Sequence, residues 1–406
     1  MPHSHGDMLS RREAVSLVER LRDDFLDGRA TEDVSVTGAC CGRVLAEPVR
    51  AGRDDPARSF ATMDGYAFDA TQAAPFELVG SEVFPEDDPP AIDPGQAVRV
   101  ATGAPIPERA NAVLKKEDAT VDDGRLEAPE IPPGTYVYEQ GSNVSAGEQL
   151  FDPGERLAPR DAILLCDLGV ESVRTYDPYE VGLVATGTEI HEGRSRDLDS
   201  PMLAALVRSW GHEATVEGSA PDEYDRVVRA IEDAAASHDV VMTTGGTSVG
   251  KKDHVIRALE SLGEVVFHRV RIRPGKPLAA ARLPDHDAVA FAIPGKPVGA
   301  HTVTSLVVRP FFTITDGLAT VPATAAVDVD VSVPGFEYAI PVTVSDGVAH
   351  PLGHETSELV VYDEVFDPSV LSSSTRATRA DGFVLTEDGF EEGMTVDVVP
   401  YTVLEP

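Results

Sequence analysis

Apolar positions along this chain follow three different rhythms. In "RREAVSLVERLRDDFLD", Arg11 to Asp27, Ala14, Leu17, Val18, Leu21 and Phe25 recur every three or four residues. That spacing lines one face of a helix, and Ser10 stands where an N-cap belongs. Between 65 and 140 the apolar runs are short and broken by prolines, as in "FELVG", "QAVRVATG" and "TYVYEQG", which predicts a small β-rich insertion. "RLAPRDAILLCDLGV" returns to helical spacing.

From Pro178 strands and helices alternate. "EVGLVATG", "EATVEGSA", "DVVMTT", "EVVFHRVRIRPG" and "AVAFAIPG" read as strands. Between and after them lie the helices "DSPMLAALVRSWG", "DEYDRVVRAIEDAAAS", "DHVIRALESLG" and "VGAHTVTSLVVRPFF". Asp199 or Ser200 would cap the first and Asp222 the second. This alternation predicts a doubly wound parallel sheet, with ligands beyond the carboxyl ends of its strands. The turns at Gly187, Gly245 to Gly250, Gly275 and Gly295 follow strands and should gather on that edge. Beyond 320 only strands remain ("AAVDVDVSV", "YAIPVTV", "GFVLT", "TVDVVPYTV"), with Asp-Gly turns at Asp346, Asp381 and Asp388 and no obvious chemistry. The expected organisation is a multidomain α/β chain. Residues 8–48 and 148–177 form a helical and linking region, 49–147 an inserted β-rich domain, 178–318 the α/β domain and 319–406 a C-terminal β domain.

Charge sharpens this picture. The chain carries 69 Asp and Glu against 34 Lys and Arg, a formal charge of -35. Such a surface repels nucleic acid and suits concentrated salt, where the Debye length falls to ~3 Å at ~1 M. No run of ~18 apolar residues predicts a membrane span. The absence of a secretory signal and the three cysteines, Cys40, Cys41 and Cys166, point to the cytoplasm. Only six basic residues are lysines: Lys115, Lys116, Lys251, Lys252, Lys276 and Lys296. All six lie in or beside Gly/Pro-rich bends, where backbone N–H groups and a compact cation can meet an anion.

Three constellations carry candidate chemistry. "TTGGTSVGKKDH" places Gly245, Gly246, Thr247, Ser248, Gly250 and Lys251 between a strand and a helix, a geometry that aims N–H groups at an anion. It nearly matches a P-loop, but Lys252 replaces the hydroxyl that would hold Mg2+, so a P-loop-type NTPase is a remote alternative. In "HRVRIRPGKP" a continuous strand would put Arg269, Arg271 and Arg273 on one face, ~7 Å apart, followed by Lys276. Glu189, Asp222 and Asp253 follow successive strands and are suited to hold Mg2+ beside a pyrophosphate. Asp64 in "TMDGYAF" and Thr102 in "VATGAPIP" are further candidates from the inserted domain. His3 and His5 read as an unstructured terminus.

Taken together, "SFATMDGYAF", "RVATGAPIPERANAVLKKED", "ATGTEI", "TTGGTSVGKKD", "RIRPGKP" and "IPGKPV" resemble the MoeA family, whose eukaryotic counterpart is the gephyrin E-domain. The segments occur in the family's order along essentially the whole chain. The resemblance implies a homodimer with a molybdopterin-binding α/β domain. It implies insertion of molybdate into adenylylated molybdopterin, with cleavage of the pyrophosphate and release of AMP. Asp64 and Thr102 would reach the cleft from the partner subunit. Glu189, Asp222 and Asp253 would manage Mg2+ and the pyrophosphate. Arg269, Arg273 and Lys276 would bind phosphate or molybdate. Gly245 to Gly250, Lys251, Pro294 and Lys296 would line the ligand site. The chain departs from the family pattern at Asn111, Ser145, Gln149, Thr188, Pro201, Lys296 and Gly299. Lys296, for example, replaces the usual Asn. These departures leave open a tungstate-using variant or a non-catalytic pterin-binding paralogue.

Overall fold

The computed structural model describes residues 8–246, 253–314 and 317–405. The chain divides into two compact units, residues 33–175 and residues 1–32 with 176–406.

The larger unit is built on a six-stranded sheet. Its strand order is Glu213–Ala220, Glu180–Thr186, Val240–Thr244, Ala288–Ile293, Ala279–Leu283, Glu264–His268. The first four strands run parallel. Period-two alternation decides what covers each face. Leu183, Met242 and Phe291 pack with helices Arg11–Leu26 and Asp199–Ser209 and with Phe311 and Phe312. Val184, Val241, Ala290 and Ala292 face helices Tyr224–Ala235 and His254–Leu262. Burying both faces requires nearly continuous apolar strands, as "VVMTT" and "AVAFAI" provide.

Two features correct the sequence reading. The sheet is mixed rather than wholly parallel. Ala279–Leu283 runs antiparallel to Ala288–Ile293, and Glu264–His268 antiparallel to Ala279–Leu283. "AAARL" does not look like a strand because alanine has little β preference, yet Ala279, Ala280 and Ala281 are fully buried. The stretch "EVVFHRVRIRPG" is also not one strand. It ends at His268, and Arg269 turns the backbone with φ 76°. Ile272–Arg273 then joins another sheet, parallel to Glu337 and Tyr338.

Capping also differs from expectation at two helices. Asp197, not Asp199 or Ser200, accepts from the Asp199 and Ser200 amides at 3.1 and 3.0 Å. Glu223 stands at the N-cap of Tyr224–Ala235, while Asp222 is engaged elsewhere. Ser10 does cap the first helix, in a reciprocal capping box with Glu13.

The C-terminal strands close on themselves. Glu337–Ser345, Val348–Pro351, Val321–Ala325, Thr395–Pro400 and Gly382–Thr386 pair in sequence, and the last returns to the first. Tyr338, Ile340, Val342, Val384 and Val398 fill the interior. Asp346 and Gly347, both with positive φ, form the tight hairpin turn. Asp381-Gly382 is not a hairpin turn, because Gly382 opens a strand and Asp381 accepts from the Val344 amide at 2.7 Å.

Residues 33–175 hold a six-stranded sheet of their own, ordered Ala112–Lys115, Gly65–Phe68, Gln96–Val100, Phe76–Leu78, Arg125–Glu127, Thr120–Asp122. Helix Asp161–Asp167 packs Leu165 into a separate cluster with Val36, Leu45 and Val173. No helix among the described residues is long and apolar enough to cross a membrane.

Candidate functional site

The four parallel strands of the larger unit end together at Thr186, Ala220, Thr244 and Ile293. The turns that follow approach so closely that only glycine fits. A Cβ on Gly295 would lie 2.8 Å from the Gly245 Cα, and one on Gly245 would lie 2.6 Å from the Thr186 carbonyl oxygen. The Gly245 amide donates to the Ile293 carbonyl at 3.1 Å, which locks adjacent turns together.

Beside these turns lies a cavity of about 480 Å³. Its lining includes Gly245 and Gly246, the segment Arg273 to Pro277, and Pro294, Gly295 and Lys296. Arg273, Lys276 and Lys296 all face it, and no carboxylate lines it among the described residues. On a chain with charge -35 this is a pronounced local inversion. The Arg273 guanidinium lies 4.5 Å from the centroid of the Phe336 ring, with the Lys276 ammonium 5.9 Å from it. The ring thus restrains the arginine through a cation–π contact. Gly275 carries the chain past Val303 with φ +118°.

The cavity also contains residues that sequence reasoning missed. Pro368, Ser369 and Ser372 belong to the C-terminal region, which had shown no obvious chemistry. The available signal was "DPSVLSSS", an Asp-Pro helix start followed by serines. Asp367 accepts from the Ser369 amide at 2.8 Å and from its hydroxyl at 2.5 Å. These bonds, with the Lys296 charge adding to them, hold the Asp367 carboxyl below its usual range.

The three arginines of "HRVRIRPGKP" do not share a face. Arg273 reaches the cavity. Arg271 is exposed and lies 3.8 Å from Glu13. Arg269 does not line the cavity, and its charge acts on Asp253. The left-handed turn at Arg269 breaks the alternation that would have aligned them.

The carboxylates sit at the same sheet edge but do not form a ready-made cluster. Among the described residues no group of three or more His, Cys, Asp and Glu side chains could hold a metal ion. Glu189, Asp222 and Asp253 therefore do not assemble the Mg2+ cage that their order suggested. Asp222 is paired with Thr188: the Asp222 amide donates to the Thr188 hydroxyl at 3.0 Å, and the Thr188 amide to the Asp222 carboxylate at 3.3 Å. Asp253 caps helix His254–Leu262, accepting from the Ile256 amide at 3.3 Å. Burial raises its carboxyl above the usual range, partly offset by that amide and by Arg269. Glu189 is exposed and folds back towards Gly187.

Asp64 and Thr102 meet in the 33–175 unit. The Thr102 hydroxyl and amide both donate to Asp64 Oδ1 at 2.7 Å, which holds this exposed carboxyl below its ordinary range. Thr247, Ser248, Gly250 and Lys251, with His3 and His5, lie outside the described residues.

Comparison with known proteins assigns this architecture. Residues 9–169 match the MoeA N-terminal region (domain I and II), and residues 182–313 match a probable molybdopterin binding domain. A molybdopterin molybdenumtransferase of Synechococcus elongatus is 32% identical over 289 residues, covering 66% of this chain and 72% of the relative. One from Bacillus subtilis is 28% identical over 424 residues, covering 97% and 95%. A crystal structure of the molybdopterin biosynthesis MoeA protein from Pyrococcus horikosii superposes with a TM-score of 0.71 at 25% identity, covering 97% of this chain and 99% of that one. The chain belongs to the MoeA family of molybdopterin molybdenumtransferases.

Proposed function

We propose that this protein inserts molybdate into adenylylated molybdopterin during molybdenum cofactor biosynthesis, with release of AMP. The observation that carries this reading is the cavity lined by Arg273, Lys276 and Lys296, with no carboxylate in its lining among the described residues. A cation ~4 Å from an anion contributes ~4 kcal/mol at an effective dielectric near 20. A few such contacts retain a small oxyanion against the repulsion of an acidic surface.

In this reading Arg273, Lys276 and Lys296 bind the oxyanion, and Gly245 and Gly246 let the pterin ligand approach the backbone. The dithiolene of the substrate takes up the metal. Asp222 and Asp253 would lie beside the substrate's pyrophosphate. Mg2+ is commonly held by one or two carboxylates together with substrate phosphates. One or two of Glu189, Asp222 and Asp253 would hold it together with the substrate phosphates, and its chemistry would be to neutralise phosphate charge. Asp64 and Thr102 would complete the site from a partner subunit in a homodimer.

The test is incubation with adenylylated molybdopterin and either molybdate or tungstate, following AMP. Oxyanion-dependent AMP release is the expected result, and the preferred oxyanion identifies the metal. Retained pterin binding with no AMP under either oxyanion would make the chain a binding protein instead.

A further inference from the structure

The walls of the 480 Å³ cavity come from two parts of the larger unit. The turns of the α/β sheet edge form one wall, and Pro368, Ser369 and Ser372 form the other. Lys296 joins them. Its Nζ donates to the Ser369 carbonyl at 2.8 Å, and two residues on, the Val298 amide donates to the Ser372 carbonyl at 3.1 Å. The Ser372 hydroxyl, in a residue only 4% exposed, also donates to the Ser369 carbonyl, at 3.2 Å. The Ser369 carbonyl is thus gripped from both walls, while Asp367 fixes the amide of the same residue.

An ammonium has three N–H donors. One is on Ser369, and the group is otherwise exposed at the cavity rim. An asparagine at this place would have a shorter reach and no charge. Lysine here can hold the far wall and face an anion at once.

We propose that Lys296 is a positioning residue of the oxyanion site. It clamps the 368–372 wall through Ser369 and directs its remaining donors at the bound oxyanion, so that oxyanion binding and wall closure are coupled. This rests on the reading of the cavity as an oxyanion site. Coupling of this kind is reciprocal: what holds the wall tightens the ligand, and the ligand tightens the wall.

The experiment uses the full chain at fixed ionic strength, with sodium molybdate as probe. Wild type, Lys296→Met, Lys296→Asn and Lys296→Arg are compared by calorimetric titration and by hydrogen exchange of the Ser369 to Ser374 amides, with and without molybdate. In wild type, molybdate slows exchange in this segment. In Lys296→Met the molybdate Kd rises about tenfold, the size expected for losing a charged hydrogen bond, and the molybdate-dependent protection disappears. Lys296→Arg restores both, and Lys296→Asn restores neither. A Met variant with wild-type affinity and protection would overturn the clamp alone. So would faster exchange in that variant by the same factor with and without molybdate, which is the mark of a purely structural tie. Absence of molybdate binding in wild type would overturn the oxyanion reading and the clamp with it.

Discussion

Asp199 shows how much one buried carboxyl can matter. It is 6% exposed, and its Oδ1 has no hydrogen-bond partner among the described residues. Burial, with the neighbouring Asp197 charge adding to it, pushes its pKa from 3.8 up to about 6. The native state therefore holds this proton more tightly than the unfolded chain does. Its stabilising effect is full below pH 3.8 and is lost as pH rises through about 6. A shift of about two units corresponds to roughly 3 kcal/mol. Asp199→Asn should flatten this dependence, leaving the variant more stable than wild type at neutral pH and similar near pH 4. Urea unfolding at both pH values checks it, and equal pH slopes for the two proteins would refute it. At this scale the sequence was a partial guide. It drew attention to Asp222 and Asp253 through their places after strands, but not to the pairing of Asp222 with Thr188, because that contact spans the ends of two strands. It named Lys296 as a departure but could not reveal its partner 73 residues away.

At the scale of elements, periodicity located most helices and the four parallel strands, since each buries a regular face. It failed where the backbone itself decides. "RVRIR" alternates like a strand, and nothing in its pattern announces the left-handed turn at Arg269. "AAARL" lacks β-branched residues, yet its small side chains let a helix lie close above the sheet. The turn at Gly275 is a comparable case. Its φ is +118°, and an added Cβ would lie 2.1 Å from the Val303 Cγ1. Gly275→Ala should therefore cost about 2–4 kcal/mol, combining backbone strain and overpacking, and should impair ligand binding in the adjacent cavity. Gly393→Ala is the control, with φ +81° and nothing within 4 Å of the new Cβ. It should cost about 1 kcal/mol. Denaturant unfolding compares the two, and equal losses would mean that the Val303 contact relaxes freely.

Across the whole molecule the candidate residues are distributed between two units, with Asp64 and Thr102 in residues 33–175 and Asp222 and Asp253 in the remainder. If a homodimer shares its sites, mixing Asp64→Ala and Asp253→Ala subunits should regenerate one intact site per heterodimer. Co-expressed, differently tagged chains purified over both tags should then recover up to about half of the wild-type AMP release per dimer, where each parent variant gives almost none. No recovery would argue for a site within one chain. The general class was legible at this scale because the motifs span the chain, whereas the cavity depends on segments far apart in sequence.

The discontinuity of the larger unit also governs how the protein is made. Helix Arg11–Leu26 packs against Phe311 and Phe312, and Arg22 donates to the Pro310 carbonyl at 3.0 Å. The ribosome must add residues 33–175 and most of the α/β region before those partners exist. At ~5–20 residues per second, that delay is on the order of tens of seconds. During it the apolar stripe of the first helix lacks part of its native cover, with Tyr179 beside Phe25 made well before Phe311. Until residues 310–312 are made, that exposed stripe is a point at which the nascent chain is open to aggregation.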